Sequence, residues 1–240
     1  MKALILAGGL GLRLSKEVNP VPKVMASVGG KPFLEHMVRL LSEKGISSVV
    51  IAVGNKAKYV TKHFGNGNKF GVPIKYCYED KPLGTGGAVH NACSCFDNED
   101  VFLVFNGDTY YDFNLQDFVA FHKGCDGVAS MAVLPLAYGD TTGVKYSKNT
   151  GKISSLKEEE PGTKRGNMKN GGVYIFSHGI FDYFPKVLKN ISIEEEFFPY
   201  LVKKRELYAW EGKGIYYEIG TPERYNRAVK ELPKKLAQSL

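Results

Sequence analysis

Cysteine is scarce: four residues in 240, and none of them forms a pair that chemistry could use. Cys77, Cys93, Cys95 and Cys125 include no C-x-x-C, and Cys93-x-Cys95 has the wrong spacing for zinc. A disulfide framework and a structural zinc site are therefore excluded. No stretch approaches the ~20 apolar residues of a membrane span. The apolar run Ala3–Ala7 is too short for a secretory leader before it meets Gly8-Gly9. These absences predict a protein of the reducing cytoplasm with no membrane partner. The five histidines form no H-E-x-x-H and have no evident base partner, and no G-x-S-x-G elbow occurs, so zinc and serine hydrolase chemistry have no foothold.

Basic residues exceed acidic ones, 32 to 25, giving a net charge of +7. They are dispersed. The densest runs, Lys203-Lys204-Arg205 and Lys234-Lys235, are short and not interleaved with aromatics. Such a pattern favours a small phosphorylated ligand over nucleic acid. Glycine, at 27 residues, exceeds the usual ~7%, and tight turns or close approach of backbone to a ligand follow from that.

Apolar runs at Ala3–Ala7, Ser48–Val53, Ile74–Tyr78, Val101–Asn106 and Gly127–Val133 read as strands, most nearly continuous, as strands buried on both faces are. Between them Phe33–Lys44, Lys56–Phe64, Gly87–Phe96 and Asn114–Lys123 carry helical patterns. This alternation predicts an α/β fold: a Rossmann-like, mainly parallel but mixed sheet flanked by helices. Further strands are expected at Gly143–Ser147, Lys152–Lys157, Gly172–Phe176, Leu207–Trp210 and Ile215–Ile219. Ser192 and Glu195 read as a capping box, with Pro199 kinking or ending the helix they open, and Thr221-Pro222-Glu223 opens the last helix. No repeat or linker interrupts residues 1–240, which predicts a single domain.

The sharpest motif follows the first strand: Leu6-Ala7-Gly8-Gly9-Leu10-Gly11-Leu12-Arg13-Leu14. Glycines at the carboxyl end of a buried strand let backbone N–H groups close on phosphate oxygens. The segment is neither G-x-G-x-x-G, since Leu14 stands at the third glycine, nor a P-loop, since Leu12-Arg13 replaces Lys-Ser/Thr. Pro22-Lys23 and Gly29-Gly30-Lys31-Pro32 come next, then Glu79-Asp80-Lys81-Pro82-Leu83-Gly84-Thr85-Gly86-Gly87. The strand Val101–Phe105 ends in Asn106-Gly107-Asp108, an acid where ligands of open α/β sheets bind.

This ordered set resembles the signature of the sugar-1-phosphate nucleotidyltransferases, over Lys2 to about Leu232. The resemblance implies a reaction of a nucleoside triphosphate with a sugar 1-phosphate, giving a nucleotide sugar and pyrophosphate. It implies that Arg13 and Lys23 neutralise the phosphates, and that Leu6, Ala7, Gly8, Gly9, Gly11, Glu79, Pro82, Gly84, Thr85 and Gly107 line the nucleotide. It also implies that Asp108 acts in catalysis and holds Mg²⁺ with Glu218. Sugar hydroxyls would fall to Gly143, Glu158, Asn170 and Glu195. Glu79 stands where uridylyl and thymidylyl enzymes carry glutamine; a carboxylate is acceptor-only and suits the N1–H and N2–H donors of guanine, so GTP is the expected partner. Within the family the pattern is most similar to the branch that guanylylates a heptose 1-phosphate for surface glycans such as capsule. Mannose or glucose 1-phosphate as substrate, or a binding module without turnover, are the rivals. The sequence departs from the family at Leu12, usually threonine, at Val24, often proline, in the absence of the lysine that usually follows Glu158, and at Glu218, usually aspartate. Exposed aromatic stretches are compatible with a homo-oligomer.

Overall fold

The computed structural model describes residues 1–9, 21–54, 56–136, 142–158 and 167–238. Along the chain these form β1 (Ala3–Leu6), β2 (Ser27–Val28), β3 (Lys31–Pro32), α1 (Phe33–Glu43), β4 (Val49–Val53), α2 (Ala57–Phe64) and β5 (Ile74–Tyr78). Next come α3 (Gly84–Asn91), β6 (Val101–Asn106), β7 (Thr109–Phe113), α4 (Leu115–Lys123) and β8 (Ala129–Pro135). The chain ends with β9 (Thr142–Tyr146), β10 (Ile153–Glu158), β11 (Met168–Ser177), α5 (Phe198–Lys204), β12 (Leu207–Glu211), β13 (Gly214–Glu218) and α6 (Pro222–Gln238). Strands and flanking helices make the expected mixed α/β class.

Two compact units assemble from separate stretches. The first comprises Met1–Pro82, Phe105–Asp112 and Ile215–Leu240. Its β1, β4 and β5 run parallel, Leu4 opposite Val50 and Ile51 opposite Tyr76. Ala3, Leu4, Ile5 and all of Val49–Ala52 are fully buried, which is why these strands read as unbroken apolar runs. Helix α1 buries Phe33, Leu34, Met37, Val38, Leu40 and Leu41. Gly29 and Gly30 turn the β2–β3 hairpin with φ of 59° and 78°, the paired left-handed geometry that a two-residue hairpin turn requires.

The second unit comprises Leu83–Val104 and Phe113–Gly214. Here β8 pairs antiparallel with β11 and parallel with β12, while β9 and β10 pair antiparallel. Asn114 caps α4 by accepting from the backbone N–H groups of Gln116 and Asp117.

Several local expectations need correction. Strand β7 directly follows Asp108 where none was expected. Helix α3 starts at Gly84, not Gly87, and gives way to a 3₁₀ turn over Cys93–Phe96. Ser192 does accept from the Glu195 N–H, but the carboxylate that returns to the Ser192 N–H belongs to Glu196. The turn they open, Ile193–Phe197, is a π turn. Pro199 lies in the first turn of α5, where its missing N–H is harmless, and begins that helix rather than ending one.

His122 sits fully enclosed between two hydroxyls, Ser130 Oγ at 2.8 Å and Ser177 Oγ at 2.9 Å. Burial pushes its pKa down to about 4. The unfolded chain therefore takes up the proton first, so the stability due to this group is complete above pH 6.5 and is lost as pH falls toward 4. Between pH 7.5 and pH 5 wild type should lose about 2 kcal/mol more unfolding free energy than His122→Gln. Urea titrations of both proteins at the two pH values check this.

Candidate active site

The first unit holds most of the expected nucleotide and metal residues, several of them at the carboxyl ends of its parallel strands. Leu6 and Ala7 end β1 within the core; the Ala7 N–H donates to Ala52 and the Gly107 N–H donates to the Leu6 carbonyl, each at 2.9 Å. Gly107 has no room for a side chain, because a Cβ there would stand 2.4 Å from the Leu6 oxygen and 3.0 Å from a Val24 methyl. Val24, the residue replacing a common proline, is thus a buried wall beside the Gly-Asp turn. Among the described residues nothing lies near the missing Cβ of Gly9. Gly8 is different: a Cβ there would fall 2.1 Å from Glu79 Oε1. The carboxylate expected to read the base therefore rests directly against the glycine loop. Its backbone is held there by the bond from Glu79 N–H to the Val53 carbonyl, 2.9 Å, which extends the β4–β5 ladder by one residue. Pro82 is exposed. Gly11, Leu12 and Arg13 lie outside the described residues.

Asp108 follows β6 and makes an ion pair with Lys23, Nζ to Oδ2 at 2.5 Å, with both side chains largely buried. Strands β7 and β13 pair, and the Ile219 N–H donates to the Asp108 carbonyl at 3.0 Å. This backbone zip brings Glu218 beside Asp108 across 110 residues of sequence. A Cβ on Gly220 would lie 3.3 Å from Glu218 Oε2 and 4.0 Å from Asp108 Oδ2, so the two carboxylates border one space over a residue that leaves it clear. Glu218 is itself ion-paired with Arg224. Each acid thus has a cation beside it, and these four formal charges cancel.

Among the described residues no group of three or more His, Cys, Asp and Glu could hold a metal. Magnesium does not need one: it binds through one or two carboxylates, completed by phosphate oxygens and water. The pair around Gly220 fits that donor set.

The second unit carries the remaining residues. Gly84 begins α3 with φ of 69°, and its open face is taken by the Ile191 carbonyl and the Asn190 side chain; the Gly86 N–H donates to that same carbonyl at 2.9 Å. These glycines thus admit the Lys189–Ile191 strap as well as starting a helix. The Thr85 hydroxyl donates to Glu194 at 2.9 Å and accepts from the Ile193 N–H at 2.8 Å. Glu195, the acid singled out from sequence, is exposed; its neighbour Glu194 makes the contact. Gly143 lies opposite Lys157, and Glu158 opposite Thr142, on paired strands, while Met168 of β11 meets Val144. Asn170 spans an irregularity in β11, its Oδ1 accepting from the Gly172 N–H and its Nδ2 donating to Tyr174 Oη, both at 2.8 Å. Arg224 and Glu194 were not foreseen. Arg224 had a signal, a cation in a first helical turn where the macrodipole disfavours it; Glu194 had none.

The pattern of the nucleotidyl transferase family matches residues 2–235. The chain belongs to this family. The D-glycero-alpha-D-manno-heptose 1-phosphate guanylyltransferase of Aneurinibacillus thermoaerophilus is 32% identical over 232 residues, 97% of this chain and 98% of that protein. Mannose-1-phosphate guanyltransferase beta-A of Xenopus laevis is 36% identical over 94% of this chain, which spans 62% of that relative's length. The crystal structure of HddC from Yersinia pseudotuberculosis superposes with a TM-score of 0.82 at 28% identity, covering 96% of this chain and 99% of that one. The complex of HddC with GMP-PN superposes with a TM-score of 0.78. Their nucleotidyltransferase fold is the fold of this chain.

Gly8 and Gly107 should separate in their tolerance of a methyl group. Gly107→Ala drives a Cβ into backbone and should lower the unfolding free energy by about 1–3 kcal/mol. Gly8→Ala meets, among the described residues, the movable carboxylate of Glu79 first; it should unfold near the wild-type temperature but raise the KM for nucleotide through displacement of Glu79. Thermal melts and initial rates on both variants check the contrast.

Proposed function

We propose that this nucleotidyltransferase transfers the guanylyl group of GTP to D-glycero-D-manno-heptose 1-phosphate, releasing pyrophosphate and forming GDP-heptose. The observation that carries the base assignment is the Glu79 carboxylate lying against Gly8, the first glycine after β1. An acceptor-only group there matches two adjacent donors of guanine and repels the acceptor edge of uracil or thymine. The heptose assignment draws on the end-to-end match to the Aneurinibacillus enzyme. The match to the Xenopus protein supports mannose 1-phosphate as a second reading.

In the reaction a sugar-phosphate oxygen forms a bond to the α-phosphorus while the bond from that phosphorus to the pyrophosphate oxygen breaks, in line. The oxygen nucleophile is already ionised, so the protein's work is positioning and charge neutralisation. Lys23 supplies a buried cation for the approaching phosphates, and Arg13 is its expected partner from the glycine loop. Asp108 and Glu218 would hold Mg²⁺, which, when bound, neutralises phosphate charge. Gly11 is assigned to the phosphates by its place in the motif; Pro82, Gly84 and Thr85 belong to the proposed base-reading segment. Gly143, Glu158 and Asn170 are the proposed hydroxyl contacts, with Glu195 at the rim. We read the two units as parts of one catalytic domain of cytoplasmic location, whose product feeds surface glycan synthesis such as capsule. A homo-oligomer is compatible with this reading.

Coupled pyrophosphate release, measured with a panel of nucleoside triphosphates and sugar 1-phosphates, tests the assignment. GTP with heptose 1-phosphate should turn over fastest; turnover with UTP and none with GTP refutes the base, and preference for mannose 1-phosphate refutes the sugar. Nucleotide binding without any pyrophosphate would mark a non-catalytic module. Glu79→Gln should lower the ratio of kcat/KM for GTP to that for UTP at least tenfold, about 1.4 kcal/mol of discrimination. Asp108→Asn should lower kcat by about 10² or more with the fold intact.

A further inference from the structure

We propose that Arg224 is a positioning residue that braces the Glu218 carboxylate for a divalent cation, and so makes a glutamate serviceable where the family's motif carries aspartate. The inference rests on the reading of Asp108 and Glu218 as the metal acids. Glutamate has one more methylene and one more rotatable bond than aspartate, so an unbraced carboxylate at position 218 would sample several places. The geometry divides its two oxygens. Oε1 accepts from Arg224 Nη1, while Oε2 faces the space over Gly220 that Asp108 Oδ2 also borders.

Arg224 sits in a costly place for a cation. It is the third residue of α6, in the first turn, where the helix dipole favours acids such as its neighbour Glu223. A residue that breaks a local rule needs a gain elsewhere, and the contact with Glu218 supplies one. The pair is only partly exposed, 34% for the arginine side chain and 19% for the glutamate, so solvent screens it less than a surface pair. The backbone carrying it is fixed on both flanks. The Arg224 N–H donates to Thr221 Oγ1 at 3.4 Å, and the Tyr225 hydroxyl donates to the Ser27 carbonyl at 2.9 Å. A planar guanidinium held in this way gives the contact to Oε1 a preferred direction as well as a distance.

A simple counter-ion would behave in the opposite sense. If Arg224 merely competed with a metal for Glu218, removing it would tighten metal binding; if it braces, removing it loosens binding. The test is Mn²⁺ titration of the full chain without nucleotide, with free ion read by electron paramagnetic resonance and folding checked by circular dichroism. Arg224→Ala should weaken Mn²⁺ binding about tenfold, as loss of an outer partner of a metal ligand does. Arg224→Lys should restore only part of it, because a point charge does not hold both angle and distance. Against a Glu218→Asp background, Arg224→Ala should leave Mn²⁺ affinity unchanged, since the shorter arm needs no brace. Tighter binding in Arg224→Ala overturns the proposal. So does unchanged binding in Arg224→Ala while Asp108→Asn loses the ion. Equal binding by wild type and Asp108→Asn instead overturns the metal site itself, and absence of pyrophosphate release from GTP overturns the guanylyltransferase reading; the outcomes are distinct.

Discussion

Two carboxylates drawn to one place repel each other, and the first unit is organised around that constraint. Asp108 and Glu218 are held together by backbone, through the pairing of β7 with β13 and the bond from the Ile219 N–H to the Asp108 carbonyl. Neither can move away without breaking that ladder. Lys23 and Arg224 offset the repulsion, one beside each acid, and among these four groups the formal charges cancel. A neutral cluster of fixed charges has a useful property. A divalent cation alone would leave these four groups at a net +2, and a triphosphate alone would bring its negative charge beside two carboxylates. Metal and triphosphate arriving together satisfy both, so the arrangement favours the complex over either component.

The glycines serve three distinct physical ends, although they look alike in sequence. Gly107 is needed for packing, since its missing Cβ lets β1 and the Gly-Asp turn lie in contact. Gly84, Gly86 and Gly87 admit the Lys189–Ile191 strap against the start of α3. At Gly8 the place of a side chain is taken by the Glu79 carboxylate. A glycine-rich motif is therefore legible as a demand for close approach, but what approaches is a matter of tertiary structure.

The same division runs through the rest of the chain. β1, β4 and β5 were readable because burial on both faces forces unbroken apolar runs, and Asn114 and Thr221 were readable because helix starts need side-chain acceptors. Lys23, Asp108, Glu218 and Glu79 were legible as members of an ordered pattern, and all of them fall with Gly8 in one unit. What escaped depends on non-local pairing or on phase. That β8 pairs antiparallel with β11 and parallel with β12 is set by chain reversals that its own sequence does not encode. Strand β7 escaped because Thr109-Tyr110-Tyr111-Asp112-Phe113 follows the Gly-Asp turn at once, with no break between. The contact of Thr85 with Glu194 escaped because nothing in the run Glu194-Glu195-Glu196 marks which carboxylate faces inward, and the turn that carries them, Ile193–Phe197, is a π turn where an α-helix was expected.

Glu79 shows how charge can act as a selector in such a site. A further carboxylate near a loop that receives a polyphosphate is unfavourable for every nucleoside triphosphate alike. On the proposed reading only guanine returns two donors to that carboxylate, so the penalty is common and the compensation is specific. Discrimination then comes as much from what the acid repels as from what it binds. Glutamine at the same position removes the common penalty together with the specific reward, trading selectivity for breadth. The glycine beside it is part of the same device: any side chain at position 8 would occupy the place where the carboxylate rests.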